Sequence, residues 1–240
     1  MKRYLQRLLL VLAILGLLVG AWQVAGLVWD NQREKQAGID LKPSLPADDA
    51  PDGKKKPITF GELRLRNDEV VAWVTVDNTR IDHPVVQGKD NDYYLRHDFN
   101  RRASKFGALF LDYRVRADFN DFNSVVYGHH IRNNTRMFRD LILFKDKAFF
   151  NNNRTGTLYT PERTLPFEIF AVALTDPYAD FYRYDYLTPK QREGYLAYIK
   201  KNAMHYRDIG AGPEDHILIL STCSYESGDA RTLIAAKLAW

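Results

Sequence analysis

Three residues of this chain have side chains suited to acyl transfer, and each stands where a strand would end. Cys223 closes the apolar run Ile217-Leu218-Ile219-Leu220-Ser221-Thr222 and precedes a polar turn containing Ser224, Glu226, Ser227, Gly228 and Asp229. A thiolate at a strand terminus is a nucleophile within reach of substrate, although the commonest fate of a free cysteine is a small core residue. Arg231 follows after seven residues, 224–230, and apolar strand resumes directly behind it. If the two runs pair as an antiparallel hairpin, Arg231 lies across from Cys223. There a guanidinium would favour the thiolate and donate hydrogen bonds to a developing oxyanion. From spacing alone, a solvated charge at a strand edge, which most arginines are, is the commoner reading.

Acyl transfer by a thiol also needs an acid for the leaving amine, usually histidine. The six histidines are His83, His97, His129, His130, His205 and His216. His83 lies inside a strand beside Pro84, His97 follows a short helix among charges, and His205 falls on the exposed side of the last helix. His216 opens the strand that ends at Cys223, far from the thiol. His129 and His130 end the run Ser124-Val125-Val126-Tyr127 through a Gly128 hinge, again at a rim, and are the best placed.

The elements that must hold these residues are mostly β. Val70–Val76 and Ile81–Val86 flank the turn Asp77-Asn78-Thr79 and read as a hairpin. Further strands are expected at Gly107–Asp112, Asn123–Tyr127, Thr157–Thr160, Leu165–Leu174, His216–Leu220 and Thr232–Trp240. Asp90–Arg96 reads as a short helix, and Met137–Phe150 has a spacing nearer helix than strand. Thr188, an N-cap, and Pro189, at the first helical position, open the clearest helix, with an end expected near Tyr206. About eight strands with helices in the long connections predict a mainly β fold, a closed or nearly closed barrel with helical insertions.

Leu8–Trp29 is a different kind of segment: only Gln23 is polar in 22 residues. As a helix it would span roughly 33 Å, enough for a hydrocarbon core of about 30 Å, and it exceeds the usual signal-peptide core. Lys2, Arg3 and Arg7 place the N-terminus inside, and Trp22 and Trp29 suit the outer interface. The expected organisation is a cytosolic tail 1–7, a transmembrane anchor 8–29, an extracytoplasmic linker 30–57 rich in proline and charge, and a globular domain 58–240. A cleaved signal peptide is the rival reading, but the run is longer than such a peptide's apolar core and no convincing small-residue cleavage site follows it closely, so an uncleaved anchor is expected.

Composition narrows the chemistry. With one cysteine in 240 residues, neither an intrachain disulfide nor a multi-thiolate zinc site is possible. A net charge of +4, from 34 Lys and Arg against 30 Asp and Glu, is too mild to imply nucleic acid. HExxH, a glycine-rich phosphate loop and zinc-type cysteine spacing do not occur, so no cofactor or metal is expected. An unpaired thiol outside the cell has no partner in its own chain.

Leu220-Ser221-Thr222-Cys223, with Arg231 eight positions on and Tyr127-Gly128-His129 upstream, resembles the sortases of Gram-positive bacteria. Their signature is T-L-x-T-C, and Ile219 stands where the first threonine would be. His83-Pro84-Val85-Val86-Gln87-Gly88-Lys89-Asp90-Asn91-Asp92-Tyr93-Tyr94-Leu95, then Phe110-Leu111-Asp112-Tyr113, and the helix opening at Thr188 resemble class B members in particular. The likeness covers about residues 58–240. It implies an eight-stranded β-barrel and a cysteine transpeptidase of the cell membrane, single-pass, with its catalytic domain extracytoplasmic. Its substrate would be the C-terminal sorting signal of a secreted surface protein, cleaved after threonine through a thioacyl enzyme. Cys223 would be the nucleophile, His129 the acid and base, and Arg231 the holder of the threonine carbonyl oxygen. The acceptor amine would belong to a cell-wall precursor or a pilin lysine. Ser221, Tyr127, Asn91 and Leu95 are expected around the substrate groove, with Tyr182 also assigned there. His130 stands where many class B sequences have asparagine. A catalytically silent, anchored binding domain is the alternative from another class.

Overall fold

The computed structural model describes residues 2–39, 59–129, 137–223 and 230–240. Helix α1 (Lys2–Ile39) is followed, after residues outside the described set, by α2 (Phe60–Arg66). Then come β1 (Val70–Val76), β2 (Asp82–Val86), β3 (Leu109–Leu111), β4 (Asn123–His129) and α3 (Lys147–Asn152). Strands β5 (Thr155–Tyr159) and β6 (Thr164–Thr175) lead to α4 (Pro189–Asn202), β7 (His205–Tyr206), β8 (His216–Cys223) and β9 (Arg231–Leu238). Three 3₁₀ segments, Tyr93–Leu95, Arg139–Lys145 and Asp180–Tyr182, lie in the connections.

Eight strands close into a barrel in the order β5-β1-β2-β3-β4-β8-β9-β6, and β6 returns to pair with β5. The ninth strand, two-residue β7, pairs with β6 at Ala171 and Val172, beyond the stretch of β6 that meets β5. Closure leaves the eight barrel strands without a free edge along their paired lengths, which removes the usual aggregation hazard of sheet edges. Alternation along each strand then sorts the apolar residues into two layers. One layer takes side chains from all eight barrel strands, among them Val74, Val85, Leu109, Val126, Leu158, Val172, Leu220 and Ile234, and fills the interior. Phe138, Leu141 and Phe144 from the connection after β4 belong to this layer too. The other layer, with Trp73, Val125, Tyr127, Ile219 and Leu233, is covered from outside by α2, the Tyr93–Leu95 turn, the Asp180–Tyr182 turn and α4.

Two pairings are parallel, β2 with β3 and β4 with β8; the remainder are antiparallel. The parallel pair β4–β8 makes both strands finish at one end of the barrel, and β9 begins at that same end because β8 and β9 form an antiparallel hairpin. The strand ends singled out in the sequence therefore meet at one rim.

Several local expectations need correction. Helix α4 stops at Asn202, not near Tyr206; its Ala203 cap is extended, and His205 and Tyr206 form β7. His205 consequently lies on a strand, where its Nε2 is 2.8 Å from the Lys145 carbonyl. The segment Asp90–Arg96 holds only a 3₁₀ turn at Tyr93–Leu95, so Asn91 precedes the turn and does not stand on a helix. Met137–Phe150 divides into a 3₁₀ segment and α3, with Asp146 capping the Phe149 amide between them. Helix α2 was not anticipated, although its capping box is legible: the Glu62 amide donates to Thr59 Oγ1, and the Thr59 amide donates to the Glu62 carboxylate. Helix α1 extends past residue 29 to Ile39, while His130 and most of the linker, residues 40–58, lie outside the described residues.

Candidate active site

The β-ladder places three residues in one row. His129 on β4 is the register partner of Cys223 on β8, and Cys223 is the register partner of Arg231 on β9. Neighbouring strands lie about 4.8 Å apart, so the three backbones stand side by side within roughly 10 Å. The hairpin that the seven-residue spacing suggested has the register that puts Arg231 directly opposite Cys223.

His129 is buried at the end of β4, with Gly128 before it. Its Nε2 lies 2.8 Å from the Leu95 carbonyl. A carbonyl only accepts, so Nε2 must carry the proton in this arrangement, and Nδ1 is the nitrogen left to gain or lose one. Nδ1 is buried and has no hydrogen-bond partner among the described residues. Burial pushes the His129 pKa below its ordinary 6.5; the Leu95 carbonyl works against this, and the positive charge of Arg231 adds to it. Arg231 is half-buried and sits with its guanidinium carbon 5.8 Å from the centre of the Tyr182 ring. Arg183 and Arg207 do not share that position: Arg183 pairs with Asp185, and Arg207 donates to the backbone carbonyls of Ile169 and Phe150.

A cleft of about 640 Å³ opens beside this row, lined by Asn91, Leu95, Tyr127, Tyr182 and Arg231 together with Arg114 and residues 177–179 and 183–185. The Tyr127 and Tyr182 rings lie 5.9 Å apart in its wall. Ser221, fully buried, is not among the lining residues; its Oγ is 2.9 Å from the Tyr182 hydroxyl and steadies that ring from behind. Asn91 Oδ1 accepts from the Tyr113 amide at 3.1 Å, tying the turn region to the residue after Asp112. So five of the eight residues named from sequence line the cleft. Cys223 and His129 are placed by the row beside it, and Ser221 supports its wall.

A carboxylate–guanidinium pair in the cleft wall escaped the sequence reading. Buried Asp112 accepts two hydrogen bonds from the Arg114 side chain, at 2.9 and 2.6 Å, and one from the Tyr127 hydroxyl at 3.1 Å. Burial pushes the Asp112 carboxyl up, but the Arg114 side-chain and backbone hydrogen bonds outweigh it and hold the carboxyl below its usual range. Burial and the same carboxylate push the Tyr127 phenol well up, so it stays a neutral donor. Only an Asp-x-Arg spacing at the end of an apolar run was available as a signal, and that spacing is common on surfaces.

The segment 177–185 is held by buried bonds from behind. Asn123 Nδ2 donates to the Phe181 and Arg183 carbonyls, and the Tyr195 hydroxyl of α4 donates to the Phe181 carbonyl at 3.0 Å. Helix α4 owes its own start to a capping box between Thr188 and Gln191 with Pro189 in the first turn.

The sortase domain family model matches residues 74–239. A curated relative, sortase B of Listeria monocytogenes, is 32% identical over 238 residues, covering 95% of each chain. Among solved structures, sortase B of Clostridium perfringens superposes with a TM-score of 0.71 at 36% identity, over 76% of this chain and all of the other. A class B sortase of Streptococcus pyogenes, described as involved in pilus biogenesis, does so with a TM-score of 0.69 at 32% identity, over 75% and 98% of the two chains.

Proposed function

This chain belongs to the sortase family, the class B cysteine transpeptidases, and from that premise we propose that Cys223, His129 and Arg231 are its catalytic residues. The carrying observation is the row of register partners across β4, β8 and β9. In this reading the Cys223 thiolate attacks the carbonyl carbon of a threonine in the sorting signal of a secreted surface protein. The C–N bond breaks, the leaving amine takes the proton from His129, and the acyl group stays on sulfur. An incoming amine then gives its proton to neutral His129 and displaces the thiolate, so the proton is returned. Arg231 donates to the threonine oxygen as negative charge grows on it. Asn91, Leu95, Tyr127 and Tyr182 contact the signal along the cleft, and Ser221 backs Tyr182.

The acceptor we favour is a cell-wall precursor amine. Likeness to the pilus-biogenesis sortase of S. pyogenes supports a second reading, in which the acceptor is a pilin lysine. For location, α1 contains the apolar window Leu9–Gly26, of mean hydropathy 2.2, and we propose that it anchors the enzyme as a single span with the N-terminus inside and the catalytic domain outside. In this organisation residues 1–7 form the cytosolic tail, 8–29 the anchor, 30–57 the linker and 58–240 the catalytic domain.

The test uses the full chain in mild detergent with LPxTG-, NPxTN- and (S/P)PxTG-like peptides and an amine acceptor. Cleavage after threonine, with a peptide-sized mass added to Cys223, is expected for at least one peptide. Cleavage that survives Cys223→Ala would overturn the assignment. Offering pilin and a wall-peptide amine in competition separates the two acceptors, because only a pilin acceptor produces a ladder of covalent multimers.

A further inference from the structure

Among the described residues, the imidazole of the proposed catalytic base makes one hydrogen bond, from Nε2 to the Leu95 carbonyl, and the turn bearing that carbonyl is itself locked from beneath. Tyr94, the preceding residue, is fully buried, while its neighbours in the turn, Tyr93 and Leu95, are exposed and half-buried. Its hydroxyl donates to the Glu69 carboxylate at 2.5 Å and accepts from Asn67 Nδ2 at 2.8 Å. Asn67 is also buried and spends its second amide proton on the Phe99 carbonyl, while its Oδ1 accepts from the Glu69 amide. Arg101 reaches Glu69 at 3.3 Å from the solvent side. Above the turn, the Tyr94 carbonyl accepts from the Ala108 amide at 3.0 Å. Gly107, in the left-handed region at φ +62°, lies against the turn and the histidine together. A Cβ there would come 2.4 Å from the Tyr94 oxygen, 3.0 Å from His129 Cδ2 and 3.1 Å from the Leu95 oxygen.

We propose that Tyr94, held by Glu69 and Asn67, and Gly107 are positioning residues for catalysis: they fix the Leu95 carbonyl, which keeps the His129 proton on Nε2 and reserves Nδ1 for proton transfer. The chemistry demands such a device. A neutral imidazole has two tautomers, and only one presents its lone pair at Nδ1. With Nδ1 buried and unpartnered among the described residues, no second contact there selects the tautomer. A carbonyl displaced by an ångström would leave the ring free to rotate or exchange its proton between nitrogens, and misplacement on that scale costs rate steeply. The phenol–carboxylate contact suits this task because the phenol is out of water and its carboxylate partner is partly so, and burial and then Glu69 raise the Tyr94 pKa to about 12, so the donor is not lost at any working pH.

This inference rests on the catalytic reading of His129, and its test has a readout that turnover does not supply. Nitrogen NMR of the full chain with labelled histidine, in detergent above pH 8, reports the tautomer directly. Wild type is expected to show a protonated-type Nε2 and a bare-type Nδ1 at His129. In Tyr94→Phe the two signals should move toward averaged values, and kcat should fall about tenfold with KM within about twofold. Glu69→Gln, made alone and keeping an acceptor for the phenol, should retain most of the wild-type nitrogen pattern and kcat. Gly107→Ala should lower kcat further, on the order of a hundredfold. A Tyr94→Phe protein that melts earlier but keeps the wild-type nitrogen pattern and kcat would reduce the network to a structural anchor and overturn the proposal. A bare-type Nε2 in wild type would overturn it as well, whether or not any peptide is cleaved.

Discussion

At the scale of residues, the site is a problem of placing charge where water is scarce. Burial and Arg231 both disfavour a charged His129, so its folded pKa lies below the 6.5 of an exposed imidazole. Replacing Arg231 by Gln removes a like charge and should move the His129 midpoint upward, read from its ring-proton shifts in an NMR titration; an unchanged or lower midpoint would contradict the contact. The same substitution should cost about 10²–10³ in kcat/KM, the usual range for a lost oxyanion donor. Stability follows the same sign. The unfolded chain binds a proton at His129 more readily, so that contribution is intact above about pH 6.5 and falls as pH drops below it. Asp112 acts lower down: its carboxyl is held below the usual carboxylate range, and the stability it supplies fades as pH falls through that depressed value. Peptide cleavage should therefore be bell-shaped in pH, with apparent midpoints that belong to the histidine–thiol pair. A flat profile between pH 5 and 9 would count against the assignment of His129.

Elements turn these residues into a geometry. Gly128, between Tyr127 and His129, admits no side chain, since a Cβ would lie 2.3 Å from Leu109 Cδ2 and 2.8 Å from Phe138 Cδ2 in the barrel interior. Gly128→Ala should destabilise by about 1–3 kcal/mol through overpacking, measured as a lower denaturant midpoint at constant slope. Helix α4 has a subtler part. Its Tyr195 hydroxyl holds the Phe181 carbonyl, and through it the cleft wall that carries Tyr182. Thr188→Ala removes the N-cap and should cost about 1 kcal/mol, a drop of roughly 2–4 °C in melting temperature. Tyr195→Phe should raise KM for the sorting peptide more than it lowers kcat, because the wall shifts while the β4–β8–β9 row stays in place.

For the whole molecule, closure of the barrel makes the site a product of distant pairings. His129 and Cys223 are 94 positions apart in the chain and neighbours in the sheet. Such non-local contacts favour slow folding relative to helical proteins of similar size. The anchor adds a second environment. If α1 spans a bilayer as proposed, the full chain should partition with vesicles, and removal of residues 1–39 should release it to the supernatant. In right-side-out protoplasts a membrane-impermeant thiol reagent should label Cys223, the chain's one cysteine, and failure to label in intact cells but not in lysed ones would reverse the topology.

Much of this was legible in the sequence because its causes are local. Strands such as Val70–Val76 and the two around Cys223 and Arg231 announce themselves by β-branched and apolar runs, and the start of α4 by Thr188 and Pro189. The sortase likeness followed from short motifs around Tyr127-Gly128-His129 and Cys223. Local pattern failed where two states compete closely: α4 ends four residues earlier than its apolar periodicity suggested, because Tyr206 pairs with Ala171 of β6 and so joins the sheet. It also failed for α2, whose single buried residue, Leu63, leaves almost no periodic signal. Tertiary structure alone decided the rest. Only the parallel pairing of β4 with β8 brings His129 level with Cys223. Only the fold sets the Leu95 carbonyl against the imidazole, links Asp112 to Arg114 and Tyr127 in the cleft wall, and moves Ser221 behind Tyr182. The physical reason is range: capping, alternation and turn propensity act over a few residues, whereas a proton's place on one ring nitrogen depends on atoms delivered from remote parts of the chain.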